Sequence, residues 1–115
     1  MDFEQAKELV LRESLGEHGI VVCARIGEDP GPERMRAVTE AVRAIFEHMR
    51  GESAISRRVA CALYSLAFYT DTGFNASLQH GMKFRDDLFD PELLLLQSAV
   101  ESVFADELIE YLEEK

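Results

Sequence analysis

Asp86, Asp87 and Asp90 stand in the order Asp-Asp-x-x-Asp, a spacing in which carboxylates can hold Mg²⁺ against a diphosphate. That chemistry needs the motif inside a long helix lining a large cavity. Here Pro91 follows at once, and a chain of 115 residues is too short to enclose such a cavity. The segment reads instead as a loop that caps the helix after it. Asp71-Thr72-Gly73-Phe74-Asn75 begins like a calcium loop. Gly73 then occupies a position that needs a ligand oxygen, and Met82 stands where the bidentate glutamate belongs. His18, His48 and His80 have no ligand spacing with one another or with Cys23 and Cys61. Cys61 and Ser65 fall on a stretch expected to be buried, which leaves them no pocket in which to act as nucleophiles. The sequence offers no glycine-rich phosphate loop. No metal, cofactor or catalytic residue is expected, and the chain reads as a non-enzyme.

Charge is unevenly spread. The formal net charge is −10, yet residues 1–85 hold 12 acids against 11 bases, and residues 86–115 hold 10 acids against Lys115 alone. Such an end repels nucleic acid and anionic membrane, so neither is an expected partner. If the last helix continues almost to the C-terminus, Asp106, Glu110 and Glu113 share a face, with Glu107 and Glu114 alongside. Like-charge neighbours at helical spacing would then cost of order 1–2 kcal/mol together. The negative end of the helix dipole adds to the cost. A basic protein partner would offset both terms. The expected binding residues are Asp106, Glu107, Glu110, Glu113 and Glu114, joined by Asp86 and Asp87. The plainer alternative is a fraying end that serves solubility.

The elements that must position these residues read as helices. Asp2 and Gln5 form a capping box ahead of Phe3, Ala6, Leu9 and Val10, with Gly16 as the stop. Residues 20–26 favour a strand by composition but have no second strand to pair with, so a short helix or extended packing segment is expected. Glu28 to Pro32 breaks the chain. Pro32 then suits a first helical turn, and Met35, Val38, Val42, Ile45 and Met49 form a seam closed by Gly51. On the outer face Glu33, Glu40 and Glu47 recur beside Arg36, Arg43 and Arg50 as a self-neutralising surface.

Ser53 is a candidate cap for a third long helix. Val59 to Tyr69 is apolar around nearly its whole circumference, which marks a buried helix, with Tyr64 and Tyr69 as core rings. This helix ends near Asp71 or continues towards His80 and Gly81. Met82, Phe84, Leu88 and Phe89 anchor a connector. Asp90-Pro91 opens the last helix, burying Leu93, Leu96, Val100, Phe104 and Leu108.

Hydrophobic and charged contents of 47% and 30% fit a globular chain and argue against disorder. The fold expected is all-α: a single domain over residues 1–115, with four or five helices around a buried central helix at about 54–72. The N-terminus lacks the apolar core of a signal peptide, and both cysteines are expected to be free, which together suggest a cytoplasmic protein. The function class that follows is a small acidic binding protein that neutralises or masks a basic protein, as an immunity protein or inhibitor does. The alternative is an adaptor subunit that forms a homodimer through the Met35–Met49 seam or through Phe84, Leu88 and Phe89.

Overall fold

Asp2 starts the first helix as its sequence requires. Its carboxylate accepts from the Gln5 N–H at 2.8 Å, and the Gln5 amide oxygen accepts from the Asp2 N–H at 3.1 Å. The computed structural model describes residues 1–110, and these are all-helical. Helix α1 spans Phe3–Leu15, α2 Ile20–Ile26, α3 Pro32–Met49, α4 Arg57–Gln79 and α5 Leu94–Ala105. Residues 20–26 resolve as helix because Ile20, Cys23 and Ala24 fall on one buried face. Helices α1 and α5 each pack on both α3 and α4, while α2 closes mainly against α4.

The seam of α3 is buried as expected at Met35, Val38, Val42 and Ile45, with Met49 at its edge. Val10, Leu63, Leu66 and Leu96 meet it in the same core. Each fully buried aliphatic side chain stabilises the fold by about 1.5–3 kcal/mol relative to exposure. Gly73 sets how closely α2 and α4 approach. A Cβ there would lie 2.9 Å from the Ala24 Cβ and 3.0 Å from its carbonyl carbon. Buried hydroxyls tie α4 to its neighbours: Ser77 donates to the Ala24 carbonyl of α2 at 2.9 Å, and Ser14 of α1 to the Ala62 carbonyl at 2.8 Å.

Several expectations need correction. The cap of α4 is Ser56, whose hydroxyl accepts from the Val59 N–H at 3.1 Å. Ser53 lies in the loop before it. Helix α4 runs past Gly73 to Gln79, the longer of the two ends considered. It is also buried on one side only: Val59, Leu63, Leu66 and Phe74 face the core, while Tyr64, Phe68 and Tyr69 are half exposed. A stretch apolar all round does not find enough neighbours to cover it in a chain this short.

The acidic helix of the sequence reading stops early. Helix α5 ends at Ala105, and Asp106 adopts the left-handed conformation at φ 52°. Residues 107–110 are not helical, and Ile109 returns to hydrogen-bond Ser102 through its N–H at 2.8 Å. Phe104 and Leu108, both expected in the core, are exposed. Stopping here avoids the like-charge pairs and the dipole conflict that continuation would create among Asp106, Glu107 and Glu110.

The Glu/Arg face of α3 is the last correction. Among Glu33, Glu40, Glu47, Arg36, Arg43 and Arg50 no ion pair closes among the described residues; Arg50 lies over the Phe46 ring instead. The surfaces expected for a homodimer are also taken up within the protomer. The α3 seam is core, Leu88 is buried, and Phe84 and Phe89 pack edge-on against Phe74.

Candidate functional site

Arg85 fixes the stretch that carries Asp86 and Asp87. Its guanidinium binds Asp29 at 2.7 and 2.9 Å and Glu92 at 2.8 and 2.9 Å, joining the α2–α3 loop to the turn that enters α5. The hydrogen bond from Arg85 holds the Asp29 carboxyl below its ordinary value; burial opposes this and the Gly31 N–H adds to it. A carboxyl depressed in the fold contributes stability that is complete above its unfolded value, near 3.8, and is lost as pH falls through the lower folded value. Acid unfolding of the wild type should therefore steepen below about pH 4. Asp29→Asn should be less stable at neutral pH and lose part of that steepening. Chemical unfolding curves taken between neutral pH and strong acid check this, and parallel curves for the two proteins would count against the clamp.

Asp86 and Asp87 are exposed, and so are Glu101, Glu107 and Glu110; none of these five forms an ion pair among the described residues. Asp87 and Glu110 line two sections of one furrow between α3 and α5, of about 290 and 340 Å³, which share Arg43 and Leu95. Asp106 has a different task. Its carboxylate oxygens accept from the Gly51 N–H at 3.1 Å each, tying the end of α5 to the loop after α3. Glu113 and Glu114 lie outside the described residues. The structure thus brings Asp87 and Glu110 to one furrow and makes Asp106 a structural cap.

No family model, curated protein or solved structure matches this chain.

Two of the three histidine rings have partners within the fold. The His48 ring stacks on Phe3 with centroids 4.0 Å apart, and a His80 ring nitrogen lies 2.8 Å from the Ala76 carbonyl. The His18 carbonyl accepts from Arg34 at 2.8 Å. No group of three His, Cys, Asp or Glu side chains is placed to hold a metal ion among the described residues. Both cysteines are free, Cys23 buried and Cys61 exposed. A groove of about 710 Å³ opens between α1 and α3 beside Glu13 and Arg34, which are spent on each other at 2.6 Å. Among the described residues no helix is long and apolar enough to cross a membrane.

Sequence reasoning missed the outward face of α4. Tyr64 and Phe68 stack at 5.3 Å, and Tyr69 meets both edge-on at 5.8 and 5.4 Å. Beside Tyr69 a mainly apolar groove of about 360 Å³ is lined by Val21, Arg25, Thr72, Gly73 and Ala76. The signal was the apolar circumference of α4, which a single buried face could not use up.

Proposed function

We propose that this chain is a non-catalytic binding protein that masks a basic protein partner, in the manner of an immunity protein or inhibitor acting in the cytoplasm. One observation carries the reading. The chain places 10 of its acids and only one base in residues 86–115, and Asp86, Asp87, Glu101, Glu107 and Glu110 stand exposed without an ion pair among the described residues. Exposed carboxylates that outnumber the bases in this part of the chain raise the encounter rate with a cationic surface and set its orientation. Glu113 and Glu114 belong to the same acidic run by sequence. Asp106 shapes the surface by ending α5.

The test begins with a salt-sensitive pull-down for the basic partner, followed by binding kinetics of Glu107→Gln/Glu110→Gln. Both residues lie outside helices, so the unfolding midpoint should stay at the wild-type value. The on-rate should fall about three- to tenfold at low salt, with a shallower salt dependence and little change in off-rate. An unchanged on-rate and an unchanged salt slope would mean that the acids serve solubility alone.

A further inference from the structure

Helix α4 has a second stripe that the fold leaves uncovered. Arg57, Cys61, Tyr64, Phe68, Asp71 and Asn75 follow one another at alternating steps of four and three residues, the spacing of a seam between two helices. All are exposed except Asp71, which is half-buried. The middle of the stripe is apolar and its ends carry opposite charge. Neither Arg57 nor Asp71 forms an ion pair among the described residues; the Asp71 carboxylate only accepts from the Asn75 amide at 3.0 Å.

We infer that this stripe docks a second copy of the chain, α4 against α4 in antiparallel register. The charge order selects that occupant. An antiparallel crossing centred on Tyr64, with Phe68 beside it, sets Arg57 of each copy opposite Asp71 of the other, on both sides of the two-fold axis. A parallel crossing would set Arg57 against Arg57 and Asp71 against Asp71. The rings at the centre then meet rings, which prefer the offset and edge-on contacts the trio already makes within one copy.

Size agrees with a homodimer of modest strength. Three half-exposed rings offer roughly 300 Å², as much as the largest apolar patch of an ordinary monomer. A standard interface uses about 800 Å² per partner, so the rings supply less than half of one; beside Tyr69, Val21 and Arg25 of α2 line the adjoining groove. This pairing stands apart from the acidic-end reading. It uses other residues, and its test needs no basic partner.

Sedimentation equilibrium of the 115-residue chain should show a reversible monomer–dimer equilibrium. Phe68→Glu should weaken the dimer at least about a hundredfold, with helicity and unfolding midpoint unchanged under monomeric conditions because Phe68 is 50% exposed. Arg57→Asp and Asp71→Arg should each weaken it about tenfold, and the double exchange should return it to within about threefold of wild type. Three results would overturn the inference: a monomer at every concentration, a dimer indifferent to Phe68→Glu, or charge exchanges that fail to rescue each other. A chain that stays monomeric and uses this face for a different protein would overturn it equally.

Discussion

Leu63→Asp is expected to leave the chain unfolded. Leu63 is fully buried on the inward face of α4, within the core shared with α3 and α5. A carboxylate there loses its hydration and gains no partner, and the packing of a large aliphatic side chain disappears as well. Together these cost more than about 5 kcal/mol. A chain of this size has roughly 5–15 kcal/mol in total, so the loss takes at least a third of the stability at the upper end of that range and all of it at the lower end, where the chain unfolds. Leu63→Ala separates the two contributions. It leaves a cavity without a charge and should cost about 2–5 kcal/mol, giving a folded but less stable protein. Circular dichroism with thermal melts measures both, and wild-type helicity and melting in Leu63→Asp would place the core elsewhere.

Arg34→Ala should be the most damaging change to a polar group. Glu13 is 6% exposed, and its two oxygens accept from Arg34 at 2.6 and 3.2 Å. The same guanidinium also donates to the His18 carbonyl at 2.8 Å, so it joins α1, the α1–α2 loop and α3. Removing it leaves a buried carboxylate without its cation, which costs about 3–5 kcal/mol when the site is closed. The Arg34 side chain is 41% exposed, so water can enter and the expected loss is nearer about 3 kcal/mol. Arg34→Ala combined with Glu13→Gln should be more stable than Arg34→Ala alone, because the stranded charge is gone. Urea unfolding of the single and double variants gives the comparison. A double variant no better than Arg34→Ala would show that the loss comes from packing of the arginine stem.

The two surfaces matter in different ways. The acidic end acts at a distance, through charge that solvent and salt attenuate. The α4 stripe acts only on contact, where ring burial dominates. If both readings hold, each dimer presents two acidic ends, and avidity adds to electrostatic steering.

Local signals written in consecutive residues determined much of this molecule. The Asp2–Gln5 capping box, the break before Pro32 and the α3 seam each depend on neighbours a few residues away, where backbone donors and side-chain spacing decide the outcome. The all-helical class follows from them, and so does the accumulation of acids in residues 86–115. Tertiary structure decided what such windows do not contain. Whether Ser53 or Ser56 caps α4 depends on how the loop after α3 is placed. The end of α5 depends on Gly51, 55 positions away, whose N–H binds the Asp106 carboxylate and accompanies a left-handed turn there. Arg34 and Arg85 resembled any other surface arginine until folding brought Glu13, Asp29 and Glu92 to them. The apolar circumference of α4 told of more apolar surface than one face could use. Only the packing of α1, α2 and α5 around it decided which side is core and which side is left for a partner.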